Sequence, residues 1–427
     1  MKTLELLSYV KNGGLDKALA TLYGNDALSV QKARYESAIS EFASLFGEDR
    51  EACILSVSGR SELSGNHTDH NNGCVIATSV DLDIIAIAAK NENDTVRVKS
   101  AGFPMDTVAL SEYTEPDASR FGSSASLIAG MCKGFLNHGY LTGGFDAYTT
   151  SNVLGGSGLS SSAAFEDMIG TIFNHLYNNG SIDNVEIGKI AQYSENVFFG
   201  KPCGLMDQLA CAVGGVIAID FADTSAPIIE KIPFDVTAAG YCLCIVNTGG
   251  NHADLTDDYA SVPSEMKSVA NFFGKKCLRE LSREDVIAAI PTLRTQVGDR
   301  AIMRAMHFFE ENERVARQKS ALLENRLPDF LAEVVSSGRS SFCYLQNVFT
   351  TKNVSEQGIS LALCLAEHYL SGKDAAWRVH GGGFAGTIQA FVRLEDAEGF
   401  KSFMDSALGE GKCMILKVRT IGATRLV

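Results

Sequence analysis

Residues 60–73 read RSELSGNHTDHNNG, which places an arginine, two histidines, an aspartate and several amides in one short run. Three chemistries would use such a set: a metal site, a catalytic centre, or the polar wall of a pocket for a molecule covered in hydroxyls. Zinc-binding histidine pairs on a helix stand at i and i+4, whereas His67 and His70 are three apart and followed by NNG, which suits a turn. A sugar needs short side chains whose donors and acceptors converge, because each buried polar group must be paired. Asp69, with two acceptor oxygens, can take two neighbouring hydroxyls and so read their stereochemistry.

A second chemistry-bearing stretch is NVLGGSGLSSSAAFEDM, residues 152–168. Gly155, Gly156 and Gly158 allow positive φ and carry no side chain where a ligand must approach the backbone. The serines after them open an apolar helix, whose N-terminus collects unpaired N–H groups and the positive end of the helix dipole, a combination that favours phosphate. The same residues also read as a Gly-rich turn with a serine N-cap, and the GxxxxGK[ST] phosphate loop is absent. Asp207 stands between Met206 and Gln208 before an apolar stretch, so its carboxylate is expected to be partly desolvated.

GLSSSAA resembles the phosphate-binding motif of the GHMP small-molecule kinases. In the same chain order, GRSELSGNHTDHNNG resembles the N-terminal sugar signature of the galactokinase family, GKPCGLMDQ (200–208) its segment bearing the catalytic aspartate, and VHGGGFAGTIQAF (379–391) its C-terminal Gly-rich motif. Ordered matches spread over residues 59–391 cover most of the chain. The resemblance implies an α+β fold, the two-domain GHMP kinase fold, with a ribosomal protein S5 domain 2-like N-terminal domain, a ferredoxin-like C-terminal domain and the active site in the cleft between them. It further implies transfer of a phosphoryl group from ATP to the anomeric hydroxyl of galactose, with Mg²⁺ bridging the phosphates. A kinase for another sugar (N-acetylgalactosamine, arabinose or a heptose) and a non-catalytic galactose sensor stand as alternatives.

Carried over residue by residue, the resemblance makes Asp207 a base or an orienting group and Arg60 the charge stabiliser. Gly155, Gly156, Ser157, Gly158, Leu159, Ser160, Ser161 and Ser162 become the ATP-binding cradle, and Ser162 and Glu195 the Mg²⁺ ligands. Without the resemblance Glu195 reads as part of a solvated helix face, and Ser162 divides evenly between helix capping and metal contact. Sugar contacts fall to Asn66, His67, Asp69, Gly204 and Tyr259. Two departures stand out: Asn66 replaces a glutamate that would face the sugar's exocyclic hydroxyl, and His70 replaces a tyrosine. His380 reads as a histidine packed at a strand end, and Gly381, Gly382 and Gly383 as residues that let the C-terminal part approach the phosphate loop.

The elements that must position these residues follow from periodicity. Apolar positions at helical spacing predict a helical lead-in over residues 1–45. Strands are predicted at 53–58, 73–82, 83–90 and 94–100, then helices at 123–138, 160–177 and 185–198. A strand at 214–221 precedes the polar DTSAP turn, and the domain boundary is expected there, dividing residues 1–230 from 231–427. The second part is expected to hold a strand at 240–248, helices at 259–274, 299–325, 327–336 and 356–371, a helix near 394–408, and a final strand CMILKV. Strands and helices interleave without a regular βαβ beat, which favours α+β over a doubly wound sheet.

Composition narrows the classes. The 427 residues are 45% hydrophobic and 21% charged, enough for a sizeable core. A net charge of -14 argues against nucleic acid or an anionic membrane as partner, since both reward a basic face. The 11 cysteines are scattered without a CxxC pair and read as reduced thiols, with Cys53, Cys132, Cys211 and Cys364 in apolar surroundings. Charges within MKTLELLSYVKNGGLDK disfavour a signal peptide, and the expectation is a cytoplasmic protein whose partners are a small sugar and ATP. No zipper pattern assigns an oligomeric state.

Overall fold

Helices α1 (Thr3–Lys11), α2 (Asp16–Tyr23) and α3 (Leu28–Phe46) lead the chain in. Their apolar stripes, including Leu6 and Val10, Leu19 and Tyr23, and Tyr35, Ile39 and Phe42, pack on one face of a sheet against Ile54, Ile85 and Ile87. The structure, a computed structural model, describes residues 1–111, 115–153, 158–249 and 255–427.

The first sheet has eight strands among the described residues. Its members are β1 (Cys53–Ser64), β2 (Cys74–Lys90), β3 (Thr95–Ser100), β4 (Met105–Ala109), β5 (Phe145–Ser151), β6 (Val216–Asp220), β7 (Ile228–Ile232) and β12 (Thr424–Arg425), the last returning from the C-terminus to pair with β1. Helices α4 (Ser124–Asn137), α5 (Ser161–Tyr177), α6 (Asn184–Tyr193) and α7 (Met206–Val213) belong to the same part, and the first three share its largest apolar core.

The strands predicted at 73–82 and 83–90 are one strand, β2. Its first half pairs with β6 and its second with β5. Asp83, the first residue of the second predicted strand, lies inside β2 and is fully buried: it accepts hydrogen bonds from Arg34 at 2.6 Å and Arg419 at 3.0 Å, and from Ser56 and Tyr23. Burial pushes its carboxyl up, but the two guanidinium groups more than offset this and hold it low. Likewise β1 runs past the predicted end at residue 58 through Ser64, so Arg60 lies in the strand. The helix predicted at 185–198 ends as α6 at Tyr193 and widens into a π-helical turn, Ser194–Phe199.

Strands β8 (Tyr241–Asn247), β9 (Ala376–His380), β10 (Thr387–Arg393) and β11 (Cys413–Leu416) form a second, antiparallel sheet in the order β11-β8-β10-β9. Helices α12 (Gly358–Leu370) and α13 (Leu394–Leu408) cover one face through Val379, Ile388, Phe400 and Met404. The other face, with Leu243, Ile245 and Phe391, joins α11 (Leu327–Ser340) and residues of the first part such as Leu63, Ile76 and Leu159 in one core. That shared core brings the end of β9 against β1. Helices α8 (Thr256–Phe272), α9 (Arg283–Gln296) and α10 (Asp299–Leu323) pack together around Val262, Met266, Leu293 and Phe308. All 11 cysteines are free, and Cys364 is exposed rather than packed in apolar surroundings, because it lies on the outer side of α12. No described helix is long and apolar enough to cross a membrane.

Candidate active site

Alternation along β1 sends Arg60 and Glu62 to one face and Ser61 to the other, where it meets His380 at 3.0 Å and Gln389 at 3.1 Å. Arg60, only 7% exposed, grips Asp207 through a two-pronged contact, Nε to Oδ1 and Nη2 to Oδ2, both at 2.8 Å. Its remaining Nη1 donates to the Gly158 carbonyl at 2.6 Å, which ties β1 to the start of α5. A fork of this kind fixes both position and orientation of a carboxylate.

Asp207 lies in the first turn of α7, where the helix dipole favours an anion. The helix is anchored on its far side by Leu209, Ala210 and Val213, packed against Val75, Ala77 and Ile217. Asp207 therefore stands at the open edge, its side chain 35% exposed. Ser160, in left-handed backbone conformation at φ 59°, donates its hydroxyl to Asp207 Oδ2 at 2.6 Å and so acts on the carboxylate rather than as a helix cap. Partial burial raises the Asp207 carboxyl, yet the Arg60 charge and the hydrogen bonds of Arg60 and Ser160 outweigh it, leaving it below the ordinary carboxylate range and ionised at neutral pH.

The loop after β1 turns at Gly65 (φ 92°), His67 (φ 60°) and Asn72 (φ 60°) and contains a single 3₁₀ turn, Asp69–Asn71. Thr68 knits it by donating to Gly65 and Cys74 carbonyls. A Cβ on Gly204 would sit 2.4 Å from Asp69 Oδ2, so the glycine lets the 200–208 segment pass beside that carboxylate without displacing it. His67 donates Nε2–H to the Gly382 carbonyl at 2.9 Å, which leaves Nδ1 as the acceptor; burial and the neighbouring His70 push its pKa down to about 4, so the ring is neutral. Tyr259 donates to the Gly383 carbonyl at 2.8 Å, and a Cβ on Gly382 would meet its ring at 2.7 Å.

Arg60, Glu62, His67, Asp69, Asp207 and Tyr259 share the wall of one cavity of about 790 Å³. The predicted sugar set of His67, Asp69, Gly204 and Tyr259 is thus gathered with the predicted catalytic pair. Asn66 also borders the cavity but is fully buried, and its amide is saturated inside the protein. Its Nδ2 donates to Gly381 O at 2.7 Å and Glu62 Oε1 at 3.3 Å, while Oδ1 accepts from Asn347 at 2.8 Å and Ser341 at 3.2 Å. Asn66 is expected from the sequence to face a sugar hydroxyl; in this structure both its amide N–H groups and its oxygen are engaged by protein partners.

Among the described residues, Gly381, Gly382 and Gly383 pack on residues 66–67, Asn347 and Tyr259. His380 and Thr387 are what approach Gly158, with a Cβ there 3.1 Å from each. His380 is the buried end of β9, as its sequence setting indicates, and burial together with Arg60 pushes its pKa down to about 3.

A second cluster adjoins this wall. Ser162, in the first turn of α5, donates to Glu195 Oε1 at 3.3 Å, and Lys201 Nζ reaches the same oxygen at 2.9 Å. Gln208 links Glu195 (2.8 Å) and Glu166 (3.2 Å) from the α7 side. Glu195 is 2% exposed, so the solvated helix face that its local sequence indicates is absent; the π-helical turn rotates it inward. A hydroxyl and a carboxylate oxygen stand side by side, the oxygen ligands a hydrated divalent cation takes, and the 62% exposed Lys201 ammonium pairs with that same carboxylate oxygen here. Gly158, Leu159, Ser160, Ser161 and Ser162 frame the start of α5, while Gly155, Gly156 and Ser157 lie outside the described residues. Lys201, Gln208, Asn347 and Ser160's bond to Asp207 have no sequence signal of their own, since each depends on chain segments far apart meeting in space.

Comparison with known proteins agrees with this geometry. Residues 126–215 match the GHMP kinases N terminal domain, and residues 40–90 match the galactokinase galactose-binding signature. A galactokinase of Actinobacillus pleuropneumoniae is 31% identical over 348 residues, covering 80% of this chain and 85% of that protein. A galactokinase of Streptomyces coelicolor is 28% identical over 393 residues, covering 90% and 97% respectively. The crystal structure of Lactococcus lactis galactokinase complexed with galactose superposes with a TM-score of 0.77 at 23% identity over 92% of this chain and 99% of that one, and so shares its fold.

Proposed function

We propose that this chain, which belongs to the galactokinase family of GHMP kinases, transfers the γ-phosphoryl group of ATP to the anomeric hydroxyl of galactose, giving galactose 1-phosphate and ADP. The observation that carries the reading is the Arg60–Asp207 fork opening on the same cavity as Asp69. Phosphoryl transfer asks chiefly for alignment and for neutralisation of phosphate charge, and the cleft offers both.

Asp69 holds neighbouring ring hydroxyls, with His67 Nδ1 and Tyr259 on the same wall. Asp207 receives the hydrogen bond of the reacting hydroxyl. Held low by Arg60, Asp207 is a weak base, so it orients the hydroxyl first and takes its proton only as bond formation to phosphorus makes that proton acidic. Arg60 keeps the carboxylate ionised and adds positive charge beside the transferring group. Residues 155–162 cradle the ATP phosphates through backbone N–H groups at the start of α5. Ser162 and Glu195 hold Mg²⁺, which neutralises phosphate oxygens when bound. On this reading residues 1–230 supply the sugar signature and phosphate loop, residues 231–427 close the cleft, and the reaction belongs in the cytoplasm.

One observation favours a second reading, a kinase for N-acetylgalactosamine, arabinose or a heptose: the saturated Asn66 amide removes the expected contact to an exocyclic hydroxyl. A non-catalytic sensor is disfavoured by the intact fork and the Ser162–Glu195 pair. ATP-dependent ADP release across a panel of these sugars is the test. Galactose is expected to give the highest kcat/KM, and no preference for it would overturn the assignment.

A further inference from the structure

We propose that Glu62, in place of Asn66, binds the substrate hydroxyl farthest from the reacting one and thereby sets the preference for a neutral sugar with an exocyclic hydroxyl. The inference rests on the reading of the cleft as a sugar 1-kinase. Glu62 is 5% exposed, and its carboxylate lines the cavity. Oε1 is filled by Arg378 Nη2 at 2.7 Å and Asn66 Nδ2 at 3.3 Å, whereas Oε2 hydrogen-bonds to none of the described residues. A nearly buried carboxylate oxygen with an empty lone pair facing a cavity calls for a donor, and a sugar hydroxyl is one.

Position follows from the strand. Arg60 and Glu62 stand in unbroken register opposite Ser79 and Ala77, so they are separated by two residues on one face, roughly 6.6 Å. That is about the span of a pyranose from its anomeric oxygen to its exocyclic one. With Arg60 and Asp207 marking the reacting end, Glu62 marks the other. Arg378, fully buried, is itself held by the Leu63 and Val379 carbonyls at 3.0 Å, so the carboxylate is fixed before the sugar arrives. The same carboxylate, ion-paired with Arg378 at 2.7 Å and sharing the cavity wall with Asp69, disfavours a sugar bearing a carboxylate or phosphate at that end. Asn66 then serves Glu62 as a positioning residue, donating to its other oxygen.

The test compares kcat/KM for galactose and 6-deoxygalactose in the parent protein and in Glu62→Gln, with a thermal melt of each. The parent is expected to favour galactose by about a hundredfold or more. Glu62→Gln is expected to lose at least tenfold on galactose, mainly through KM, and less than threefold on 6-deoxygalactose, so the preference contracts. A purely structural role would lower both sugars equally, and that result overturns the proposal, as does a parent preference near one. Should Glu62→Gln not fold, Glu62→Asp, which keeps a charge for Arg378 and withdraws the cavity-facing oxygen, is read on the same ratio. A parent that phosphorylates neither sugar overturns the kinase reading itself, a separate outcome.

Discussion

Replacing Asp207 by asparagine changes one atom and tests the catalytic pair. The isosteric amide keeps one acceptor for Arg60, but its NH₂ group confronts a guanidinium N–H or the Ser160 hydroxyl in place of the second 2.8 Å contact. Losing one charge-assisted bond is worth about 1.5–3 kcal/mol in a buried setting. Because the Asp207 side chain is 35% exposed, water takes up part of the loss, and a stability change of about 1–2 kcal/mol is expected. The chemical step suffers more, since a neutral amide cannot take the proton that leaves the anomeric hydroxyl; general-base losses of this type run to about a thousandfold, or roughly 4 kcal/mol in the barrier. Sugar binding rests on Asp69, His67 and Tyr259 and is expected to change less than about threefold. Steady-state kinetics paired with calorimetric sugar binding and a denaturation curve separates these effects. A kcat within tenfold of the parent, or a loss seen only in KM, would refute the role given to Asp207.

Asn66→Ala takes their partner from the Gly381 carbonyl and the Asn347 and Ser341 donors in a buried network, and should destabilise the chain by roughly 2–4 kcal/mol in urea unfolding; a change under about 0.5 kcal/mol would contradict the saturated-amide account. Glu195→Gln is expected to raise the Mg²⁺ concentration needed for half-maximal rate about tenfold or more while leaving sugar KM near its parent value, because Glu195 pairs with Ser162 and does not itself line the sugar cavity. His67 and His380 have pKa values pushed down to about 4 and about 3, and His307 is lowered as well, chiefly by burial. Below the unfolded histidine value of about 6.5 the unfolded chain binds protons that these folded histidines refuse, so their contribution to stability falls from about pH 6.5 toward 4, by up to about 1.4 kcal/mol per unit for each histidine. The buried carboxyls of Asp81, Glu166 and Asp167 are raised and act the opposite way on the total, so the histidine share is read by comparing the parent with His380→Gln: the parent is expected to lose more stability than the variant between pH 7 and pH 5 in urea unfolding, and an equal change in both would contradict it.

Most of the helices were legible because their apolar residues recur at helical spacing over long windows, as in α3, α5 and α10. Short or interrupted elements were not: α7 spans only Met206–Val213, α9 contains Pro291, and β4, β7 and β12 are short strands defined by their pairing partners. Asp83 carries the same lesson, since nothing local shows that one strand runs on through this charged residue until Arg34 and Arg419 are brought to it from distant positions. At the site, Arg60, Asp69 and Asp207 could be read from their motifs because those motifs are contiguous. Asn66 could not, since its partners Asn347, Ser341 and Gly381 lie roughly three hundred residues away and nothing local signals that they satisfy it. Glu62 was hidden for the same reason: only the fold reveals that one of its oxygens faces the cavity.

Phosphorus NMR of the product formed from ATP, Mg²⁺ and galactose by the purified protein addresses the assignment of the reaction most directly. A single sugar phosphate ester whose phosphorus couples to the anomeric proton is expected, accumulating in step with ADP and absent when Asp207→Asn replaces the parent. An ester at any other hydroxyl, or ADP formed without a phosphorylated sugar, would contradict it.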